Sequence, residues 1–497
     1  LASIQRGGKM TRMAFSLIVA MASSLFGETA QWPQYRGPGA SGIAERAAPL
    51  TFGPKQNVLW SAPLQSGHSS PSIWGDHLFL TSFEKNTKKL ELVAYDRRNG
   101  KLRWSQTIPA TELENVHGVS SPATATPVVD GERIYVYFGS AGLFCYDFSG
   151  KPIWSRPMPA AKLSFGSGVS PLLAGNALVL ALDYGDRKLL AVDRASGKTL
   201  WEVKLGGSSG FDGHATPALW NGQIVLHRPG EVAAYDARDG ARRWSVPIAS
   251  QGTGTPVVRG DTLFVGAWGS DPDLLDPIPD WNTLLSKYDK DGSGTVSKEE
   301  FPEDLAWARR IDAGKTPGAV VTFKRFFGFL DPNKDSEISR EEWEAVLKSV
   351  REPGKQPHGL LAIRIEEGKY AARVVWAEER AVPEVPVPLA YRGRIYAVTN
   401  GGIVTVLDEA SGKLVYRGRL GASGMYYSSP VAAGDHLYFA SSEGVVTSVR
   451  VGDKLDVVSR NELGEPVFAT PAIVEGTLYI RTAGRLYAFG TTPSITR

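Results

Sequence analysis

The chain has 497 residues, 42% of them hydrophobic, which suffices for a large core and suits either several ordinary domains or one closed array of repeats. Its 55 basic and 52 acidic residues leave a net charge of +3, so no polyelectrolyte field directs it to nucleic acid or a membrane surface. A single cysteine, Cys145 in the apolar "LFCYDF", excludes an intrachain disulfide and a cysteine-clustered metal site, and its setting predicts a buried strand position.

At the front, Arg6, Lys9 and Arg12 precede an apolar run of 14 residues, Met13 to Phe26, and then Gly27, Glu28, Thr29 and Ala30. A basic head, a short apolar run and small residues describe a secretory signal over 1–30, and the run is too short to span a bilayer. Export to the periplasm or the medium is expected, with no transmembrane span in the remaining chain.

Beyond it a unit of about 44 residues recurs. "AYDRRNGKLRW" (94–104), "CYDFSGKPIW" (145–154), "AVDRASGKTLW" (191–201) and "AYDARDGARRW" (234–244) are variants of one motif, with weaker copies at 362–376 and 406–416. The Asp accepts turn N–H groups, the Gly takes the positive φ of a hairpin, and the Trp offers a flat face to the neighbouring unit. Before each unit stands Ser, Thr or Val, then Pro, then alternating apolar residues around a Gly turn, with prolines at 71, 127, 171, 217, 256, 388, 430 and 471. Alternation of this kind predicts half-buried antiparallel hairpins, and four strands per unit predict a mainly β fold, an eight-bladed β-propeller of four-stranded antiparallel blades. The last copy, "GRLYAFG" (484–490), lacks an outer strand, whereas "NVLW" (57–60) is an outer strand without a blade, so the N-terminal strand is expected to complete blade 8 and close the ring.

Pro256 and Pro388 stand 132 residues apart, as do Trp244 and Trp376, three times the usual spacing. An insertion of about 88 residues therefore interrupts blade 5 between its second and third strands. The expected organisation is a leader at 1–30, propeller at 31–269 and 358–490, the insertion at 270–357 and a tail at 491–497. Inside the insertion the apolar period changes from two to 3.6: Trp281, Leu284, Leu285 and Tyr288; Phe323, Phe326, Phe327 and Leu330; Trp343, Val346, Leu347 and Val350; and, more sparsely, Phe301, Leu305 and Ala308. Four amphipathic helices are expected.

Between these helices lie two oxygen-rich loops. In the first, Asp289, Asp291 and Ser293 offer side-chain oxygens, Thr295 its carbonyl, Ser297 a water-linked place and Glu300 two carboxylate oxygens, with Gly294 at the sharp turn. In the second, Asp331, Asn333, Asp335, the Glu337 carbonyl, Ser339 and Glu342 repeat the pattern, with Ser336 in place of the glycine. Calcium needs six to eight oxygens around one point, and this spacing supplies them. Both stretches resemble the twelve-residue EF-hand loop, so two Ca²⁺ sites are expected. Ser297 with Glu300 and Ser339 with Glu342 also read as helix-capping boxes, which accounts for those pairs and for none of the other oxygens.

The "A-x-D-x-x-x-G-x-x-x-W" units ending at Trp104, Trp201 and Trp244, with the opening "WPQYRGPGASG", resemble the repeats of the quinoprotein (pyrroloquinoline quinone, PQQ) propeller superfamily over about residues 32–268 and 358–490. That resemblance implies one of two functions: a PQQ-dependent oxidoreductase, or a non-catalytic member similar to the outer-membrane β-barrel assembly scaffold. Dehydrogenases of the family stack the quinone on a ring of adjacent cysteines, and Cys145 stands alone, which disfavours PQQ and an enzyme. The scaffold type is usually a lipoprotein, and this leader provides no cysteine for a lipid. His68 and His214, each three residues before a proline, and His117 read as polar rim residues rather than ligands. The resulting expectation is an exported, monomeric, calcium-binding propeller that presents a surface to a protein or peptide client, with no catalytic residues and no nucleic-acid partner.

Overall fold

The structure, a computed structural model, describes residues 30–163, 165–206, 212–268, 278–309, 320–351, 356–366, 371–380 and 382–491. The expected leader at 1–30, apart from Ala30, and the expected tail at 491–497, apart from Thr491, lie outside them.

The chain forms an eight-bladed propeller, each blade an antiparallel four-stranded sheet whose inner three strands are buried and whose outer strand alternates. Blade 1 runs Ser72–Trp74, His77–Glu84, Lys89–Asp96 and Leu102–Ile108, and the later blades repeat it. In blade 8, Ala472–Val474, Thr477–Arg481 and Arg485–Phe489 are completed by Val58–Pro63, antiparallel to Arg485–Phe489, so the ring is closed by residues near the start of the chain. Cys145 is buried in the third strand of blade 2, and burial pushes its thiol up to about 12, which leaves it unreactive.

The repeat residues join the blades. The Trp60 ring covers Gly100 of the next blade and its Nε1 donates to the Arg97 carbonyl at 2.9 Å; Trp104, Trp154, Trp201 and Trp376 likewise donate to Phe148, Arg194, Ala237 and Glu409. Gly100 sits at φ 71°, and a Cβ there would come within 2.4 Å of the indole, so turn glycine and neighbouring tryptophan are one requirement. Trp244 instead donates to Gln223 Oε1 of its own blade at 2.9 Å.

The residue before each proline forms a second circuit. The Ser70 N–H donates to Thr126 Oγ1, Thr126 N–H to Ser170 Oγ, Ser170 N–H to Thr216 Oγ1, Val387 N–H to Ser429 Oγ and Ser429 N–H to Thr470 Oγ1, all at 2.9–3.0 Å. This belt of hydroxyls links the inner strands of successive blades, and at blade 6 Val387 has no hydroxyl to contribute.

A feature absent from the sequence reading fills the channel. Gln31–Trp32 adds to the inner edge of blade 1, antiparallel to Ser72–Trp74, and Ile43–Ala44 adds to the inner edge of blade 7, parallel to Val431–Ala433. The turn between them, Pro38–Ala40, lies against Ala218–Trp220 of blade 4. Trp32 is buried over Gly37, Tyr35 shares a hydrogen bond with Ser429 Oγ at 2.9 Å, and the fully buried Arg36 donates to the carbonyls of Ala40, Ser41, Val387 and Pro388 at 2.9–3.1 Å. These residues form a hairpin-like loop across the ring, its two short strands paired with different blades and not with each other.

The blade-5 strands Val257–Arg259, Thr262–Ala267, Gly359–Glu366 and Ala371–Glu378 pair in order, and the helical segment stands between the second and third. It comprises helix α1 (Trp281–Tyr288), a 3-10 turn at Phe323–Phe326 continuing into α2 (Phe327–Leu330), and α3 (Arg340–Arg351). Three of the four expected helical segments are present. The one built on Phe301, Leu305 and Ala308 is not: Ala306–Arg309 is a strand paired with Val320–Thr322. Pro302 accounts for this, since a helix starting after the loop would need its N–H for the Lys298 carbonyl. Trp281, Leu284, Val296, Phe301, Phe323, Phe327, Leu330, Ile338, Trp343 and Leu347 form a core of their own, separate from the propeller clusters.

Candidate calcium centre

Asp280 caps α1, its side chain accepting the Thr283 N–H at 2.8 Å, and the helix ends where the first loop begins. Asp289 Oδ1 accepts from Gly292 and Ser293, its Oδ2 from Gly294, and Asp291 Oδ1 accepts from Ser293, so the backbone wraps around the carboxylates. Glu300 reaches back: Oε2 accepts the Ser297 N–H and hydroxyl at 3.0 and 2.9 Å, and Oε1 accepts the Lys290 N–H at 2.8 Å. These backbone donors hold the Glu300 carboxyl down to about 2. One carboxylate oxygen from each of Asp289, Asp291 and Glu300 lies within 4.8 Å of the others, which is the convergence a hard cation requires.

The second loop repeats the wrapping. Asp331, itself buried, accepts from Asp335 and Ser336; Asn333 Oδ1 accepts from Asp335, and Asp335 Oδ1 from Glu337. Glu342 Oε2 accepts the Ser339 N–H and hydroxyl at 2.9 and 2.8 Å, while its Oε1 is buried with no hydrogen-bond partner. An orphaned carboxylate oxygen at this position suits a cation, because burying it otherwise leaves it unsatisfied. The loops are joined by Val296 opposite Ile338 and Ser297 opposite Glu337.

Where the first loop has Gly292 and Gly294 at φ 72° and 86°, the second has Lys334 and Ser336 at 64° and 69°. A side chain in this left-handed region costs about 1 kcal/mol. Ser336→Gly is therefore expected to stabilise the protein by about 1 kcal/mol and to tighten the second calcium step, measured by urea unfolding and by calcium titration; an unchanged midpoint and second step would contradict the strain account.

His68, His117 and His214 are half-buried. His68 stacks on Phe468 at 4.5 Å, and Phe468 lies 5.6 Å from Tyr427, all three being three residues before the prolines of blades 1, 8 and 7. Burial, with the buried Arg481 beside it, holds the His68 imidazole down to about 3, so it is neutral. His117 and His214 come together around Phe165, at 5.1 and 6.2 Å, apart from His68.

Glu114 carried no signal in the sequence. It is 4% exposed, accepts the Ser167 N–H at 2.7 Å through Oε2, and has a partnerless Oε1. Burial pushes its carboxyl up to about 7. The folded state then binds more protons than the unfolded chain above the ordinary carboxylate range, so stability falls as pH rises from about 4.5 to 7, by on the order of 2–3 kcal/mol, and levels off above. Glu114→Gln is expected to flatten that slope, measured as urea midpoints from pH 5 to 8; a slope identical to that of the parent protein would refute it.

Among the described residues no helix is long and apolar enough to cross a membrane. The EF-hand family model matches residues 282–303. A second model, described as outer membrane protein assembly factor BamB, matches 88–270 and 329–494. The chain is 19% identical over 340 residues to the outer membrane protein assembly factor BamB of Salmonella typhimurium, covering 67% of this chain and 76% of that protein. To that of Burkholderia pseudomallei it is 24% identical over 262 residues, 50% of this chain and 62% of that protein. In fold it is similar to BamB from Moraxella catarrhalis, with a TM-score of 0.52 and 13% identity over 88% of this chain and 99% of that one. It is also similar to a europium-containing methanol dehydrogenase, with a TM-score of 0.57 and 11% identity over 93% and 98%. The propeller, its repeat residues and a family match over more than half of the sequence lead to one assignment: the chain belongs to the outer membrane protein assembly factor BamB family.

Proposed function

We propose that the protein is an exported, calcium-binding, non-catalytic propeller scaffold for a protein or peptide client. Calcium binds both loops: Asp289, Asp291, Ser293, Glu300, the Thr295 carbonyl and a water on Ser297 hold one ion, and Asp331, Asn333, Asp335, Glu342, the Glu337 carbonyl and a water on Ser339 hold the other. The observation that carries this reading is the convergence of Asp289, Asp291 and Glu300 in a loop already wrapped for an ion. Bound calcium supplies a charge that satisfies the crowded carboxylates and so orders the segment 270–357 on the rim of blade 5.

The segment leaves blade 5 at the end where every first strand begins, the face that also carries the arc of His68, Phe468 and Tyr427. We assign client binding to that face. The relatives' name ties them to outer membrane protein assembly, which supports export and a polypeptide partner. The near-neutral charge gives no support to nucleic-acid binding. A PQQ enzyme is not favoured: Cys145 is buried without a second cysteine, and Trp32, Tyr35 and Arg36 fill the axis where a planar quinone would need room.

Calorimetric titration should register two Ca²⁺ per chain, and affinity capture from an exported fraction should recover a polypeptide whose yield drops with chelator. Stoichiometric PQQ uptake with dye-linked oxidation would overturn the scaffold assignment, and a calcium-independent capture list would remove the role given to the loops.

A further inference from the structure

One peptide group on the client face is gripped from both sides. The Ser167 N–H donates to Glu114 Oε2 at 2.7 Å, and the carbonyl of the same peptide, that of Gly166, faces the His214 imidazole as its acceptor. Glu114, Gly166 and His214 lie in the loops that lead into the first strands of blades 2, 3 and 4, Val128–Val129, Leu172–Ala174 and Ala218–Trp220, so the grip ties three neighbouring blades together. Gly166 sits at φ 82° with Val116 packed on it, where a Cβ would come within 2.5 Å of the valine. The preceding residue, Phe165, is half exposed and stands between His117 and His214. The grip therefore decides where an aromatic ring is displayed.

The two jaws differ in what surrounds them. The Glu114 N–H donates to Ser140 Oγ at 3.0 Å, and its carboxylate lies against Gly139. The groups that face this carboxylate are Ser167 and the hydroxyls of Tyr137 and Tyr184, which share a hydrogen bond at 2.8 Å. Among the described residues no basic side chain faces it, so an ionised Glu114 has one N–H for two oxygens, with Oε1 and Ser167 Oγ both unsatisfied. Around His214 stand Asp212 and Asp183, the latter paired with Arg187 and Arg228, and burial holds the imidazole below its ordinary value, toward the neutral form. We propose that the Gly166–Ser167 peptide is a proton-controlled clamp: while the Glu114 carboxyl is neutral the loop carrying Phe165 stays closed, and ionisation draws the carboxylate toward water and opens it. The clamp needs neither calcium nor a client. Closing raises the carboxyl from its ordinary 4.5 to about 7, so closure is strongest below the ordinary range, weakens as pH rises to about 7 and levels off above. From pH 6 to 8 this linkage raises the ratio of open to closed loop about 10-fold.

The test is hydrogen exchange of the whole protein, read by mass spectrometry on fragments spanning Phe165 to Ser170 and corrected at each pH for the intrinsic rate. In the parent the protection of this loop should fall about 10-fold from pH 6 to 8, and it should stay below that of the buried strand Ala177–Leu182, which marks the opening as local. Glu114→Gln keeps the shape of the side chain and is neutral at every pH, so its loop should show no fall. His214→Leu removes the other jaw and should lower protection at both pH values while keeping the 10-fold ratio. Protection that does not change with pH, an equal fall in Glu114→Gln, a loop that exchanges no faster than the strand, or a His214→Leu protein that behaves as the parent overturns the clamp.

Discussion

Replacing Arg36 by alanine is expected to lower the unfolding free energy by about 4 kcal/mol, because the fully buried guanidinium is the shared donor for four carbonyls, those of Ala40, Ser41, Val387 and Pro388. Burial without a carboxylate holds its pKa down to about 10, so it remains charged at neutral pH and is neutralised only by carbonyl dipoles. Its place is the weak point of the hydroxyl belt, where Val387 donates its N–H to Ser429 but has no side-chain hydroxyl to accept one. Lysine will not substitute: one ammonium cannot reproduce a planar fork aimed at two strands, so Arg36→Lys should lose most of the same stability. Urea unfolding reads both variants, and a loss under about 1 kcal/mol in Arg36→Ala would mean that the hairpin is not fixed as described.

The second large effect is in calcium affinity. Glu300→Gln is expected to weaken the first loop by at least about 100-fold, since groups that only support a ligand already contribute 10–100-fold and Glu300 is itself the two-oxygen ligand. Glutamine retains one oxygen for the Ser297 N–H and loses the charge and the second acceptor that Lys290 now uses. Acid should mimic the substitution. With the folded carboxyl near 2, the order that Glu300 gives the loop is fully present above the ordinary range and is lost as pH falls through about 2. Calorimetry or terbium luminescence measures the affinity; two full-affinity sites in Glu300→Gln would remove Glu300 from the ligand set.

What could be read beforehand was whatever depends on neighbours in sequence. The loops are legible because each set of oxygens lies within twelve residues, and the blades because proline, turn glycine and tryptophan recur at one spacing. Trp60 even announces the ring closure, being a docking tryptophan with no blade before it. The missing helix after the first loop is a local error: Pro302 was present, but the apolar spacing of Phe301, Leu305 and Ala308 outweighed it. The hairpin is a different kind of miss. Tyr35 and Arg36 find partners some 350 to 400 positions away, at Val387, Pro388 and Ser429, and no pattern near residue 36 names them. Glu114 is similar, since a lone acid in a loop gives no sign that Ser167 will enclose it. The preference for Ser or Thr before proline was visible, but its cause, a run of hydroxyls that accept N–H groups from blade to blade, needed the folded ring.

Because Val58–Pro63 and the hairpin both take their places against strands near the far end of the sequence, the portion synthesised earliest must wait for the portion synthesised last. Until Arg485–Phe489 emerges, blade 8 has no third strand and Trp60 belongs to a strand without a sheet, leaving unpaired edges and an apolar segment open to wrong pairings. Such long separations make folding slow and prolong the exposure of those edges.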